Sequence, residues 1–268
     1  MTLFHRQSIK GMGPWRVLFS VPIAMAMMGC QAPRSYECHR VETEPVIDGS
    51  LADDAWQAAA WTDDFVDIEG NRRPLPTYRT RAKMVWDDRH LYIAAELEEP
   101  HIWATIRAHD EIVFHDNDFE IFIDPDGDTR DYVEVELNAF GTVFDLLLKR
   151  TYRDGGPADH DWNVPGLMKA IGIDGTLNNP DDTDRAWVVE VAIPWTTFER
   201  LVSCALPPQP GDRWRINFSR VEWQHEVVDG EYRKVAGQSE ANWVWSPQGE
   251  INMHIPERWG TVEFVSER

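Results

Sequence analysis

The stretch HDNDFEIFIDPDGDTRDYVEVELN, residues 115–138, decides the fold prediction because apolar and polar residues alternate on both sides of a turn. Successive side chains of a strand point to opposite faces of the sheet. One face is therefore entirely apolar and carries Phe119, Ile121, Ile123, Val133, Val135 and Leu137. The intervening DPDGDTRD consists mostly of residues that favour turns. The pattern predicts an antiparallel hairpin with one face in the core.

The opposite face of this hairpin is acidic. It carries Asp118, Glu120, Phe122, Asp124, Tyr132, Glu134, Glu136 and Asn138. Like charges on adjacent strands lie only about 5 Å apart and cost stability, so this face favours cations, arginine partners or a hydroxyl-rich ligand. Arg213, Arg215 and Asn217 share one face of RWRIN and are candidate partners. A solvated sheet face with its own ion pairs is the alternative.

The rest of the chain also alternates with a period of two. Strands are predicted at 79–86, 90–97, 118–124, 131–138, 141–148, 185–194, 212–223 and 259–265, separated by turn signals. Helices are predicted only at 50–60, with Ser50 as the cap, and at 194–201, which opens with Pro194. Many short strands with one or two short helices predict an all-β protein, a β-sandwich of jelly-roll or Greek-key type.

Composition excludes one class of partner. The 268 residues are 43% hydrophobic and include 13 tryptophans, which indicates a folded chain. The 26 basic and 46 acidic residues give a formal charge of −20. A nucleic-acid-binding surface needs an excess of Lys and Arg, so nucleic acid is not expected as a partner.

Residues 1–29 have the pattern of an export signal. Arg6, Lys10 and Arg16 precede an apolar segment at 17–28, and Gly29-Cys30 follows it. That segment is shorter than the roughly 20 residues that span a bilayer. A small residue before cysteine is similar to the lipoprotein cleavage site, which predicts lipidation at Cys30. Ordinary signal cleavage nearby is the alternative.

The expected mature protein is thus an outer-membrane or cell-surface lipoprotein, or a periplasmic protein if the anchor is absent. It would touch the membrane only through the lipid, and residues 30–43 would be a tether. With Cys30 lipidated, Cys38 and Cys204 remain, and an oxidising compartment favours a disulfide between them. Two free buried thiols are the alternative.

Six ordered blocks carry a resemblance to a known family. They are PVIDGSLADDAW (45–56), VWDDRHLYIAAELEEP (85–100), NDFEIFIDPDGDTRDY (117–132), WVVEVAIPW (187–195), GDRWRINFSRVEW (211–223) and HIPERWGTVEF (254–264). Their order and spacing resemble carbohydrate-binding module family 9 and its DOMON-like relatives over residues 44–265. The resemblance implies one β-sandwich domain that binds the reducing ends of glucans and xylans without catalysis. Members are often attached to xylanases and stabilised by calcium.

The resemblance also implies particular site residues. The two tryptophans that sandwich the sugar in the family correspond here to Phe114 and Met253. The family's sugar-binding carboxylate corresponds to Glu120, and its arginine on the next strand to Glu136. The second stacking residue is then missing, or is replaced by Trp243, Trp245 or His254.

Further ligand contacts are predicted from the residues themselves. The segment ANWVWSPQGEINMHIPERW contains aromatic and amide groups in a loop, of which Trp243, Asn252 and His254 are candidates for sugar contact. Trp162 is a second stacking candidate, and Arg215 a candidate for hydroxyl contact. Core packing of Trp243 with Trp245 is the alternative, as is a packed or surface role for His160 and His254.

Three further possibilities concern metals and other functions. Asp124, Asp126 and Asp128 alternate on a tight turn and could bind calcium, although an ordinary acidic turn fits at least as well. Glu120 and Glu136 could form the carboxylate pair of a glycoside hydrolase. The resemblance to DOMON-like relatives also implies a haem-binding electron-transfer domain as an alternative, for which Met253-His254 and Met84 are candidate ligands. The favoured hypothesis is non-catalytic binding of poly- or oligosaccharide for separate glycosidases, with no organic cofactor.

Overall fold

The computed structural model describes residues 32–267, so the signal peptide and Cys30 predictions lie outside the described residues. Within this range one α-helix, α1 (Asp54–Ala58), accompanies fifteen strands. The strands are β1 (Ser35–Arg40), β2 (Val66–Asp67), β3 (Thr80–Trp86), β4 (His90–Glu98), β5 (Asp118–Asp124), β6 (Tyr132–Asn138), β7 (Val143–Leu148), β8 (Ala158–Asp159), β9 (Met168–Asp174), β10 (Ala186–Pro194), β11 (Arg213–Glu222), β12 (His225–Val228), β13 (Glu231–Lys234), β14 (Ala241–Val244) and β15 (Gly260–Val265). Short 3-10 turns occur at Gly70–Arg72, Val113–His115, Tyr152–Asp154, Trp195–Phe198 and Pro256–Arg258.

Thirteen of the strands form one curled sheet. Its order is β8-β7-β6-β5-β11-β15-β1-β3-β4-β10-β9, and β14 joins β11 and β2 at the side. Apolar side chains from both halves of the sheet, such as Ile93 and Val191 from one and Ile121 and Val135 from the other, belong to one buried cluster. The predicted all-β sandwich is therefore confirmed. β12 and β13 form a separate hairpin.

The decisive hairpin forms as the alternation predicts. β5 and β6 pair antiparallel, with Ile121 opposite Val135 and Glu120 opposite Glu136. All six predicted core residues, Phe119, Ile121, Ile123, Val133, Val135 and Leu137, are fully buried. Period-two alternation alone predicts this hairpin and its core face correctly because the two faces differ so strongly in polarity.

The acidic face of the hairpin is not a solvated surface, contrary to the alternative considered above. Phe122 and Tyr132 from this face are buried in a second cluster with Phe144, Met253 and Trp259. The segment after β14 is held there by hydrogen bonds from the backbone N–H groups of residues 248 and 249 to the Ile68 carbonyl. The carboxylates therefore lie beneath loops that strand periodicity does not predict.

The predicted tether is wrong for residues 35–40. These residues form β1, which pairs parallel with β15 and β3 in the middle of the sheet. The carbonyl oxygen of Cys38 accepts a 3.0 Å hydrogen bond from Trp86 Nε1. The predicted disulfide is also wrong, because Cys38 is a free thiol buried in the core whereas Cys204 is a free thiol at the surface.

The eight predicted strands are all present, and their observed ends differ from the predicted ends by at most two residues. The helix predicted at 50–60 shortens to α1, and the one at 194–201 is the 3-10 turn Trp195–Phe198. β1, β2, β8, β9, β14 and the β12–β13 hairpin were not among the predicted strands, and most of them are short. No helix of residues 32–267 is both long and apolar enough to cross a bilayer.

Gly260 provides a test of core packing. A Cβ atom at this position would overlap the six-membered ring of Trp245, which is fully buried. We expect Gly260→Ala to lower the free energy of unfolding by about 1–3 kcal/mol, the usual cost of overpacking. Urea denaturation measures this loss.

The double variant Gly260→Ala/Trp245→Phe is the control for this packing test. Phenylalanine lacks the part of the ring that the alanine methyl would overlap, so the two losses should be less than additive. Strictly additive losses would show that the overlap with Trp245 is not the cause.

Candidate functional site

A cleft of about 370 Å³ lies over the outer face of β5, β6 and β7. Its floor contains Glu120 from β5, Glu134 and Glu136 from β6, and Phe144 and Leu146 from β7. Its walls come from the 3-10 turns at 113–115 and 152–154 and from the loop at 251–254. The cleft is thus built on rigid strands and closed by loops, as binding sites on β-sandwiches commonly are.

The floor is acidic and nearly inaccessible to solvent. Glu120 and Glu134 are each 5% exposed and Glu136 is 2% exposed. Burial raises the pKa of Glu120 to about 7. Burial and the neighbouring carboxylates raise the pKa values of Glu134 and Glu136 well above the ordinary range. The backbone N–H of Phe114 donates a 2.9 Å hydrogen bond to Glu136.

Asp118 lies beside these glutamates, beneath the floor. Its side chain is fully buried, and its Oδ1 accepts a 3.2 Å hydrogen bond from the backbone N–H of Val221. Its Oδ2 has no hydrogen-bond partner among the described residues. Burial and the nearby Glu120 raise the pKa of Asp118. One oxygen each from Asp118, Glu120 and Glu136 lies within 4.8 Å of the other two.

Lysine and arginine side chains do not line this cleft in the described part of the chain. His254 is the nearest titratable nitrogen, with Nε2 4.0 Å from a Glu134 oxygen. Burial lowers the pKa of His254 to about 4, so its imidazole is neutral near pH 7. Its Nδ1 lies 3.1 Å from the Tyr132 hydroxyl. The carboxylates of the floor therefore have no cationic partner in the cleft.

Aromatic and apolar groups form the rim. The rings of Tyr152 and His254 meet edge to face at 4.5 Å, and those of Phe144 and His160 stack at 5.6 Å. Ile112 and Ile251 are exposed apolar side chains at the same rim, 43% and 70% accessible. Flat rings beside carboxylates are the combination that contacts the C–H faces and the hydroxyls of a pyranose.

Five of the eight predicted ligand residues line this cleft: Phe114, Glu120, Glu136, Asn252 and His254. Met253, the family's second stacking position, lines it too but is only 8% exposed. Asn252 Oδ1 accepts a 2.9 Å hydrogen bond from the His254 backbone N–H, which holds this turn against the floor. The acidic hairpin and the loop before β15 thus meet at one place.

Trp162, Arg215 and Trp243 are not brought into the cleft. Trp243 is 6% exposed in the main core, where it meets the ring of Tyr78 edge to face. Trp243 is therefore a core residue, which was the alternative to sugar contact in the sequence analysis. Trp162 packs against the main core, and Arg215 lies beside the Gly127 turn and opposite Asp124.

Of the predicted partners of the acidic face, only Arg215 lies near one of its acids, Asp124. Arg213 is exposed and pairs with Glu263 at 2.6 Å. Asn217 donates its side-chain N–H to the Ser246 carbonyl instead. Arg215 reaches only the Asp124 end of the strand, where its charge lowers the pKa of that carboxyl against the larger effect of burial.

The acidic turn is held by its own backbone. Asp124 accepts 3.0 Å hydrogen bonds from the N–H groups of Gly127 and Thr129, and Asp126 accepts one from Asp128. One oxygen each of Asp124, Asp126 and Asp128 lies within 4.8 Å of the others, so the group has the size of a cation site. The internal hydrogen bonds explain the sequence without a metal, and calcium here stays a prediction.

The two alternative functions find little support. Met84 is fully buried inside the sandwich, whereas His254 is on the outer face of β5 and β6, so these two residues do not face one pocket. Glu120 and Glu136 are paired across adjacent strands as a hydrolase pair would be. However, Glu134 and Asp118 surround them, and burial raises all four pKa values instead of separating an acid from a base.

Sequence reasoning missed several cleft residues, including Glu134, Tyr152 and Asn242. Glu134 was recognisable, since it shares the face of Glu120 and Glu136. Tyr152 lies in the 3-10 turn after β7, and its position depends on a loop path that alternation does not encode. Asn242 lies in β14, a strand of four residues.

Comparisons with known proteins agree with the geometry. The model of the carbohydrate family 9 binding domain-like family matches residues 47–266. Exoglucanase XynX of Acetivibrio thermocellus is 26% identical over 157 residues, 59% of this chain and 12% of that protein. The chain therefore spans only a small part of this relative.

Two solved structures share the fold. One is a carbohydrate-binding module of family 9 from Caldicellulosiruptor kristjanssonii in complex with cellotriose, with a TM-score of 0.57 and 16% identity over 88% of this chain and 95% of that one. The other is a module of the same family and organism in complex with glucose, with a TM-score of 0.55 and 18% identity over 87% and 97%. With the family match extending over most of residues 32–267, the protein belongs to the carbohydrate family 9 binding domain-like family.

Proposed function

We propose that the cleft binds the end of a glucan- or xylan-type oligosaccharide and that the protein holds polysaccharide for separate glycosidases. The observation that carries this proposal is the position of Phe114 at the rim and Glu120 on the floor of the same cleft. The family resemblance assigns these two positions to sugar stacking and to hydroxyl binding. Cellotriose and glucose in the two related structures support a gluco-configured ligand.

The groups in the cleft suit a neutral sugar. Phe114 is partly exposed and presents an aromatic face, and Tyr152 lies on another wall. With a pKa of about 7, Glu120 can donate a proton to a sugar oxygen in its acid form or accept hydrogen bonds as a carboxylate. The side-chain amides of Asn242 and Asn252 supply further donors. One or two sugar rings fit in about 370 Å³.

The proposed location is the cell envelope. The basic segment, the apolar segment at 17–28 and Gly29-Cys30 support export with a lipid on Cys30. Gln31–Arg268 forms a compact unit. In this arrangement the lipid keeps the binding domain at a membrane surface, where released oligosaccharides or polymer ends would be captured.

Sugar binding by variants of Phe114 and Glu120 tests the proposal directly. We expect the soluble form, residues 31–268, to bind cellotriose or xylotriose in isothermal titration calorimetry, and Phe114→Ala to weaken binding about tenfold, the loss of one aromatic contact. Glu120→Ala should weaken it at least as much, because a charged or strongly polar contact is removed.

Trp162→Ala is the matched control, since this aromatic residue is also partly exposed but lies outside the cleft. Its affinity should equal that of the unchanged protein. Equal losses in Phe114→Ala and Trp162→Ala, or no heat with any glucan or xylan oligomer, would contradict the proposed site.

A further inference from the structure

The floor of the cleft and the layer directly beneath it hold three carboxyl groups that no lysine or arginine of the described chain balances. We propose that Asp118, Glu120 and Glu136 bind a divalent cation, calcium by their chemistry, which presents free coordination positions to the hydroxyls of the bound sugar. The sugar-facing part of this inference rests on the proposed function, whereas the cation site itself does not.

The first argument is distance. One oxygen from each of the three carboxylates lies within 4.8 Å of the other two. A calcium ion with oxygens at about 2.3–2.6 Å bridges oxygens up to about 5 Å apart. Asp118 and Glu120 come from alternate positions of β5, and Glu136 lies directly opposite Glu120 on β6. Three ligands thus converge from two rigid strands.

The second argument is the unpartnered oxygen of Asp118. This side chain is 0% exposed, and its Oδ2 lacks a hydrogen-bond partner among residues 32–267. A buried polar atom without a partner costs free energy, and a buried carboxylate needs either a proton or a counter-charge. The neighbouring backbone N–H groups of Val221 and Phe114 reach only Asp118 Oδ1 and Glu136. A cation bound between the three carboxylates would give Asp118 Oδ2 the partner that it lacks.

The third argument is that the nearby cationic side chains of the protein interact with other partners. Arg220, on the strand next to β5, pairs with Glu99 and Glu222 at 2.7 Å. Lys234 donates to the carbonyl of His115 and lies over the ring of Trp223. Neither lines the cleft. A cation that balances the trio therefore has to come from solution, where it competes with protons for the three carboxylates.

Three carboxylates leave several positions of a calcium ion unfilled, since calcium takes six to eight oxygens. Glu120 and Glu136 line the cleft, whereas Asp118 lies beneath it. The unfilled positions consequently face the cleft, where a pair of sugar hydroxyls or water can occupy them. The cation would then join the floor to the ligand in a cleft that has no arginine or lysine of its own.

Calcium binding to the chelator-treated soluble form tests the cation site. Titration calorimetry should give about one calcium per chain at this site, with a rise in the midpoint of thermal unfolding. Asp118→Asn and Glu136→Gln should each lower calcium affinity about tenfold or more. Asp161→Asn, a change of an exposed aspartate, should leave it unchanged. Because two different ligands are changed, loss of folding in one variant does not remove the test.

Asp126→Asn distinguishes the floor from the acidic turn. If calcium affinity falls in Asp126→Asn but stays the same in Asp118→Asn and Glu136→Gln, calcium binds at the turn and the inference is overturned. Absence of any calcium or magnesium binding also overturns it.

Sugar titrations with calcium and with chelator separate this inference from the proposed function. Calcium binding that depends on Asp118, without binding of any glucan or xylan oligomer, supports the cation site and rejects the proposed function. Sugar binding of equal strength in calcium and in chelator supports the proposed function and overturns the cation bridge. Tighter binding of glucosamine oligomers than of cellotriose in chelator would show that an ammonium group, not a metal, balances the floor.

Discussion

Replacing Arg220 by methionine is expected to lower the free energy of unfolding by about 3–5 kcal/mol, the cost of breaking a buried ion pair from one side. The guanidinium is 0% exposed and donates to Glu99 and Glu222 at 2.7 Å and to the Glu98 carbonyl at 2.9 Å. It also lies 5.1 Å from the ring of Trp243. Methionine fills a similar volume but leaves the buried carboxyl groups of Glu99 and Glu222 without their shared cation and hydrogen-bond donor.

Arg213→Met is the control for this measurement by urea denaturation. Arg213 is on the same strand and also pairs with a glutamate, but its side chain is 65% exposed. Surface pairs contribute about 0–1 kcal/mol, so this variant should remain close to the unchanged protein. Similar losses in the two variants would mean that burial of Arg220 is not what makes its pairs important.

Two groups of buried acids consequently differ in one respect. Glu99 and Glu222 lie beside an arginine, whereas Glu120, Glu134 and Glu136 have none. Both groups border β5, and β11 carries Arg220 on one face and Ser219 on the other, opposite Glu120. An alternating strand can supply an arginine to one side only. The other side is the cleft, where a ligand or ion can take the place of the missing cation.

The fold was predictable where alternation and turn residues agree. The hairpin of residues 118–138 satisfies both, and its register follows from keeping Ile121 and Val135 on the core face. β1 was not predictable in the same way, because SYECHR is short and half polar and its place between β15 and β3 depends on parallel pairing over long sequence distances.

The site was predictable only in part, for a related reason. Glu120 and Glu136 could be placed because strand period and family resemblance both identify them. Trp243 could not be assigned, since alternation shows that a tryptophan lies on one face but not whether that face is core. Burial of the acids depends on the loop near Met253, whose path is determined by contacts such as the hydrogen bond from Trp259 Nε1 to the Met253 carbonyl.

Stability should depend on pH through Glu99. Burial, with the nearby Glu222 charge, raises the pKa of Glu99 from 4.5 to about 8, because Arg220 is shared between two carboxylates and offsets only part of the cost. Between pH 4.5 and 8 the folded protein holds a proton on Glu99 that the unfolded chain has released. The stabilisation from this proton is complete below pH 4.5 and is lost as pH rises through 8.

Glu99→Gln isolates this effect, because glutamine keeps the shape of the protonated acid and does not titrate. We expect the unchanged protein to lose stability relative to Glu99→Gln by a few kcal/mol between pH 5 and pH 8.5, since each unit of pKa shift corresponds to about 1.4 kcal/mol. Urea denaturation of both proteins across this range, with chelator present throughout, gives the difference. Buried carboxyls that do not interact with Glu99 contribute equally to both curves and cancel, so the difference reports on Glu99 and its partner Glu222. Parallel curves would show that Glu99 is ionised in the folded protein, and that Arg220 then balances both of its carboxylate partners.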